Sequence, residues 1–233
     1  MHRKYWELCY ICQALDERGL LRLNSKGLVF AVGEEQLPAV FASRGCSIVA
    51  TDLDANDAHA SGWVESNQHA ASLEKLNKDG LCDPATFNER VTFRPVDMNH
   101  IPADLMQGEF DFVWSACSFE HLGSLRRGHD FVLNSLKCLR PGGVAVHTSE
   151  YNCSSNWRTL ESEGLSIYRK RDIQALARDI RATGCRIEID YRQGTLPYDK
   201  HVDLPPYSWD KHIKLLLEGF VTTSIGLIIE KPS

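Results

Sequence analysis

The chain lacks a long apolar run. Its longest nearly apolar stretch, Gly219–Ile229, is broken by Thr222, Thr223 and Ser224, whereas a membrane-spanning helix needs about 20 apolar residues. No membrane insertion is expected. Basic charge is not in excess either, with 26 Lys plus Arg against 31 Asp plus Glu and a formal net charge of -5. Such a surface does not attract a phosphate backbone, so no nucleic-acid partner is expected. The N-terminal residues MHRKYWELCYICQAL carry Glu7 and Gln13 inside the apolar region and offer no small-residue cleavage site. They make a poor signal peptide, and a soluble, cytoplasmic protein is expected.

Metal-ligand spacing is also missing. Among eight cysteines only Cys9 and Cys12 lie close together, and no second pair of Cys or His stands at ligand spacing. Reduced, packed thiols are expected, and no metal. With 233 residues, 43% hydrophobic and 24% charged, the chain can bury a substantial core without staples and is not a disordered sequence. No repeat, low-complexity tract or linker divides it. One domain over residues 1–233 is expected, with an N-terminal helix inside 1–26 and site-covering insertions at about 55–80 and 194–212.

What is present is an alternation of short β-rich runs with amphipathic segments. A helix is predicted over Tyr5–Leu21, then a strand at Leu28–Val32, a helix at Gln36–Ser43 and a strand at Ser47–Thr51. A helix around Val64–Asn77 comes next, then strands at Val91–Pro95 and Phe110–Ser115 and a helix at Asp130–Leu139 stopped by Pro141-Gly142-Gly143. Val144–Thr148, Arg186–Tyr191 and Thr222–Glu230 supply three more strands, with a helix at Arg171–Thr183. Strands separated by helical patterns of this length imply right-handed crossovers. The fold class is α/β, a Rossmann-like doubly wound sheet of seven mostly parallel strands with helices on both faces.

In such a sheet, ligands sit at the carboxyl ends of the strands where the strand order reverses. The first strand and its turn read Gly27-Leu-Val-Phe-Ala31-Val-Gly33-Glu34-Glu35, and the second strand ends at Asp52. A carboxylate at that distance suits the two hydroxyls of a ribose, or it caps the next helix. The turn has no G-x-G-x-x-G to admit a pyrophosphate. Glu34 and Glu35 would repel one, because like charges 4 Å apart cost about 4 kcal/mol at an effective dielectric near 20. The same carboxylates suit a cationic cofactor head; alternatively they are solvated residues at a helix N-terminus.

At this point the sequence resembles the class I S-adenosylmethionine-dependent methyltransferases, from Gly27 to Lys231. The resemblance rests on the order and spacing of several short motifs. They are Ala31-Val32-Gly33 with Asp52, then Val96-Asp97-Met98-Asn99, then Phe110–Ser115 with Phe119-Glu120-His121-Leu122, and finally Leu139-Arg140-Pro141-Gly142-Gly143. It implies an antiparallel last strand and S-adenosylmethionine as the cofactor. It places Ala31, Gly33, Glu34, Glu35, Asp52, Leu53, Asp97, Met98, Ser115 and Ala116 around that cofactor, with Asp97 at the adenine and the loop after the fourth strand beside the methionine part. The departure lies in the first motif, where Val29 stands in place of the usual acid, Ala31 in place of a glycine and Glu35 in place of another. Glu34 or Glu35 would then replace the missing acid.

The expected activity is methyl transfer to an oxygen or nitrogen of a small-molecule or saccharide-like acceptor. His121 is the candidate base, since imidazole titrates near neutrality; its alternative is packing or capping. Candidate acceptor contacts are Glu120, Glu150 and Asn152, with loop hydrogen bonding as the alternative for the last two, and Asn67 and His69 from the first insertion and His201 and Tyr207 from the second. His147 reads as a core histidine. Two rivals stand beside this reading: an NAD-dependent oxidoreductase on the same sheet, and a non-catalytic module binding a nucleoside cofactor.

Overall fold

Alternation along the central strand β4 (Phe110–Ala116) sorts the core into two layers. Phe112 and Trp114 pack on one face with Phe41 and Phe87, whereas Val113 turns to the other with Phe131 and Ile180. Successive side chains of a strand point to opposite faces, and both faces here are apolar. The structure, a computed structural model, describes residues 2–54, 73–208 and 210–233.

Around β4 the sheet holds β1 (Lys26–Val29), β2 (Ser47–Asp52), β3 (Val91–Pro95), β5 (Leu139–Asn152), β6 (Arg186–Ile189), β7 (Lys214–Leu217) and β8 (Phe220–Glu230). Their order is β3-β2-β1-β4-β5-β8-β6, with β7 paired to β8. Strands β1 to β5 run parallel, and β8 runs antiparallel to both β5 and β6. The doubly wound architecture is therefore the one expected, with the last strand reversed. The order turns back between β1 and β4, which fixes the ligand crevice at their carboxyl ends.

Helices α1 (Arg3–Asp16), α2 (Leu37–Ser43) and α3 (Pro84–Arg90) cover one face; α4 (Leu125–Ser135) and α5 (Lys170–Ala182) cover the other. On α5 the buried residues Ile173, Leu176, Ala177 and Ile180 form one stripe at i, i+3, i+4 and i+7. Burying each of the larger ones contributes about 1.5–3 kcal/mol, and Ile180→Ala would cost about 2–5 kcal/mol.

Several predicted boundaries move, each for a local reason. The first strand ends at Val29 rather than Val32, because Ala31 takes a φ of +49° and leaves the ladder. α4 starts at Leu125 rather than Asp130, since the Ser124 hydroxyl caps it by accepting from Arg127 N at 3.1 Å. β5 runs from Leu139 to Asn152 and includes the Pro141-Gly142-Gly143 turn as an irregularity in its pairing with β4. α3 is absent from the sequence-based expectation, although Asp83 before Pro84 is a strong helix start and its carboxylate accepts from Thr86 N. The predicted helix over Val64–Asn77 lies mostly outside the described residues, and its described end, Leu73–Asn77, is a 3-10 turn. An eighth strand, β7, joins the expected seven. It pairs with β8 through a two-residue hairpin at Glu218 and Gly219, both at positive φ, the backbone that matches the strand twist.

Candidate active site

Two turns flank the crevice, and both leave ordinary backbone geometry. After β1, Ala31 and Gly33 have φ of +49° and +53°; after β4, Cys117 has φ of +46°. Non-glycine residues in this region are strained, and such positions gather at ligand sites. The Gly33 amide donates to Asp52 Oδ2 at 2.9 Å and the Leu53 amide to Asp52 Oδ1 at 2.9 Å. The buried Asp52 carboxylate thus ties the β1 turn to the end of β2.

The paired glutamates part ways. Glu34 swings outward to Lys75 and Lys78, at 2.8 and 3.0 Å, and the hydrogen bonds from those two lysines hold its carboxyl below the usual range. Glu35 turns inward. Its Oε1 accepts from the Trp114 indole at 2.6 Å, and burial pushes its pKa up to about 7 against the pull of Lys4 and that donor. Of the two, Glu35 is the buried acid, held on the core indole of Trp114 after the β1 turn, while Glu34 belongs to an exterior ion pair.

Asp97 follows β3 and accepts from the Asn99 amide at 2.8 Å, with His100 Nδ1 at 2.6 Å, so it shapes the 97–100 turn. Met98 is buried in the core with Val96 and Ile101. The Ser115 hydroxyl, 0% exposed, points into the core, 2.8 Å from His147 Nδ1. His147 Nε2 meets Ser135 Oγ at 3.1 Å, and that hydroxyl donates to Val132 O. The single Ser135 proton is therefore committed, so Nε2–H donates and Nδ1 accepts from Ser115. Burial lowers the His147 pKa to about 3, and the ring is a neutral core brace. Its reading as a core histidine stands, and the Ser115 side chain is one partner of that brace.

The loop after β4 carries His121 in a one-turn helix, Phe119–His121. His121 Nδ1 donates to the Gly164 carbonyl at 2.6 Å, so Nε2 is the basic nitrogen of the neutral ring. Glu120 is buried and accepts from Ser149 Oγ at 3.0 Å. Glu150, at the carboxyl end of β5, is buried against the Arg3 guanidinium. Burial raises its pKa, and Arg3 opposes that rise. Asn152 accepts from the Ser154 and Ser155 amides at 3.0 and 2.8 Å and donates to Arg158 O at 3.1 Å. Its amide braces the 152–158 loop.

The Tyr207 hydroxyl donates to Leu216 O at 2.8 Å, and its ring meets His212 edge-on. His201 ends the short helix α6 (Pro197–Lys200) and is exposed. The charges of Arg3 and Glu150 act on the Tyr207 hydroxyl, so Tyr207 lies near the carboxyl end of β5. Asn67 and His69 lie outside the described residues.

Sequence reasoning missed the contribution of α1. Its first turns lay Arg3, Lys4 and Glu7 across the ends of β4, β5 and β8. Lys4 Nζ donates to Ala116 O at 2.9 Å and stands 3.5 Å from Glu7. Cys117 Sγ donates to Glu7 Oε1 at 2.9 Å, and Ser224 Oγ donates to the same oxygen. The signal was there: Glu7 shares the buried stripe of α1 with Ile11, Ala14 and Leu15. A carboxylate on an apolar stripe needs a partner, and Ser224, which interrupts the apolar C-terminal run, is one.

Among the described residues no group of three or more His, Cys, Asp or Glu is arranged to hold a metal ion, and no helix is long and apolar enough to cross a membrane. The acid-lined crevice fits a ribose and a cationic head far better than a pyrophosphate. Comparison with known proteins agrees. A family model described as a methyltransferase domain matches residues 28–147. No curated protein matches the chain. Among solved structures, Haemonchus contortus phosphoethanolamine N-methyltransferase 2 in complex with S-adenosylmethionine is similar with a TM-score of 0.58 and 15% identity, over 95% of this chain and 52% of that one. The chain thus spans about half the length of that enzyme. An S-adenosylmethionine-dependent methyltransferase from Methanosarcina mazei aligns with a TM-score of 0.57 and 12% identity, over 93% of this chain and 97% of that one. One from Aquifex aeolicus gives 0.52 and 16%, over 94% and 87%. At these identities the structures establish the fold, and the family model, which spans more than half of the sequence, establishes the kinship: the chain belongs to the methyltransferase-domain family of class I S-adenosylmethionine-dependent enzymes.

Proposed function

We propose that the protein transfers a methyl group from S-adenosylmethionine to an oxygen or nitrogen of a small-molecule or saccharide-like acceptor. The observation that carries the reading is the pairing of a buried, backbone-braced Asp52 with an inward-facing Glu35 at the switch point. Asp52 would receive the ribose hydroxyls, and Glu35 the ammonium of the amino-acid end. Asp97 would stand at the adenine, with the backbone of Ala31, Gly33, Leu53, Met98 and Ala116 around the cofactor. The bound cofactor supplies an activated methyl: the acceptor lone pair bonds to its carbon, the carbon–sulfur pair returns to sulfur, and the acceptor's proton leaves.

The chain's own residues have two tasks. One is to hold the acceptor in line, which supplies much of the acceleration in a displacement. The other is to take a proton when the acceptor is an alcohol or a protonated amine, and His121 Nε2 is assigned that role. The Haemonchus contortus enzyme is named for a nitrogen acceptor, which supports nitrogen as one of the two options. A nicotinamide dinucleotide reading is disfavoured because its pyrophosphate would meet Glu35 in place of a glycine. Incubation with methyl-labelled S-adenosylmethionine and a panel of phenols, sugars and amines tests the proposal. Label in an acceptor, lost in Asp52→Ala, supports it; NAD-dependent oxidation of an alcohol in the panel, with no label transferred, contradicts it.

A further inference from the structure

The side chain of Lys4 reaches the end of the strand whose backbone the proposed function puts beside the methyl donor. Its Nζ donates to the carbonyl of Ala116, the last residue of β4, at 2.9 Å and lies 3.5 Å from Glu7 Oε2. Burial raises the Glu35 pKa, and Lys4 is the cation that opposes the rise, while the carboxylates of Glu7 and Asp52 add to it. One ammonium therefore answers Ala116 O, Glu7 and Glu35 together. Protein encloses that ammonium, which works against its charge, but Glu7, Cys117, Glu35 and Glu120 outweigh this and hold its pKa above the usual value.

The ammonium is loosely held. Glu7 is 1% exposed; its Oε1 takes the Cys117 thiol at 2.9 Å and the Ser224 hydroxyl, but Oε2 makes no hydrogen bond among the described residues. An ammonium has three donors, and Lys4 spends one, on Ala116 O. A buried carboxylate oxygen without a donor is unfavourable. An ammonium free to choose its own position between Ala116 O and Glu7 Oε2 would bond both.

Lys4 can withdraw without moving α1. The backbone beside it is tied down, because Arg3 N donates to His212 O at 3.0 Å and the Arg3 guanidinium holds Glu150. The Lys4 side chain is 44% exposed, so it lines a concavity open to water rather than packed core, and its long stem regains rotamer freedom in solvent. The cost of leaving is charge: Glu7 and Glu35, both buried, would lose the cation near them. A ligand that brings its own ammonium removes that cost.

We infer that Lys4 is a tethered stand-in for the methyl donor's own ammonium: its Nζ fills the site that the donor's amino group takes, and the side chain withdraws to solvent when the donor arrives. The inference rests on the methyltransferase reading and adds to it a residue of this chain that competes with the cofactor. A site held by Lys4 in about nine molecules of ten lowers the apparent affinity for the donor about tenfold.

Calorimetry of the full chain with two probes tests it. S-adenosylhomocysteine carries the ammonium; methylthioadenosine keeps the nucleoside and the sulfur but lacks the amino-acid end. Lys4→Ala should bind S-adenosylhomocysteine about tenfold more tightly than the parent and methylthioadenosine equally well. Lys4→Met, which keeps the stem without the charge, should shift the same way, and it carries the test should Lys4→Ala lose methylthioadenosine. Unchanged or weaker S-adenosylhomocysteine binding would overturn the inference, the weaker result making Lys4 a partner of the donor's carboxylate. Equal tightening of both probes would overturn it too, since Lys4 would then act through α1 and not through the ammonium site. Loss of methylthioadenosine binding in both variants would make Lys4 a part of the fold and overturn it as well. Failure of the unmodified protein to bind either probe would instead overturn the underlying reading.

Discussion

Trp114 and Glu35 meet across the switch point, with the indole nitrogen of β4 donating to the carboxylate of the turn after β1 at 2.6 Å. The bond joins the two strands between which the sheet order reverses, and it holds a buried acid where a cationic ligand group would arrive. A structural acid in that place would be a poor choice, because burying a carboxylate with one neutral donor is unfavourable. The arrangement makes sense if the ligand completes it.

Glu35 therefore has a measurable signature. Its folded pKa of about 7 lies above the ordinary 4.5, so between those values the folded state holds a proton that the unfolded state has released. Stability should fall as pH rises through this window, by on the order of 3 kcal/mol from this residue. Glu35→Gln keeps an oxygen for Trp114 and should be more stable than the parent at pH 8, yet bind S-adenosylmethionine at least tenfold more weakly. Denaturant titrations at pH 5 and pH 8 check the first expectation; an unchanged slope in Glu35→Gln would remove Glu35 from the account.

His147 works in the opposite direction. Its pKa is lowered from 6.5 to about 3 by burial, so below pH 6.5 the unfolded chain takes up a proton that the folded chain refuses. Stability should drain away between pH 6.5 and 3, by up to about 5 kcal/mol from this group. His147→Gln should be less stable at pH 7 and lose less stability on acidification. Equal acid midpoints for both proteins would contradict the brace between Ser115 and Ser135.

Arg3 and Glu150 couple α1 to the end of β5. Removing the guanidinium leaves a buried carboxylate unpaired, which typically costs about 3–5 kcal/mol. Arg3→Ala should lower the melting temperature strongly, and adding Glu150→Gln should recover much of the loss. A double variant no better than the single one would mean that Arg3 acts through packing.

His121 is tested by rate rather than stability. A positioned base contributes about 10²–10⁴-fold, so His121→Ala should lower kcat by about 100-fold on an alcohol acceptor while S-adenosylhomocysteine affinity holds. An unchanged kcat would leave His121 as a loop anchor through Gly164.

The sheet was legible in the sequence because strand runs and helical stripes repeat with clear periods, as in Phe112, Val113 and Trp114. Asp52 was visible at the end of the predicted second strand, which it closes. What local pattern could not carry were long-range side-chain bonds. Glu34 and Glu35 are neighbours that diverge because only one finds lysines at 75 and 78, and Ser115 points inward because His147, 32 residues away, completes the core. The hairpin at Glu218-Gly219 was missed because no Asn-Gly or Asp-Gly marks it, although its glycine takes the positive φ such a turn requires. The role of α1 was hidden for a similar reason: its partners are far along the chain, Glu150 lying 147 residues from Arg3 and Ser224 217 residues from Glu7.

The identity of the cofactor is the central claim, since the roles of Asp52, Glu35 and His121 all depend on it. Calorimetric titration of the purified protein with S-adenosylhomocysteine, with NAD run beside it and Asp52→Ala as control, addresses that directly. Micromolar binding of S-adenosylhomocysteine alone, weakened at least tenfold in Asp52→Ala, is the expected result. Binding of NAD alone, or of neither ligand, would contradict the reading of the crevice as a methyl-donor site.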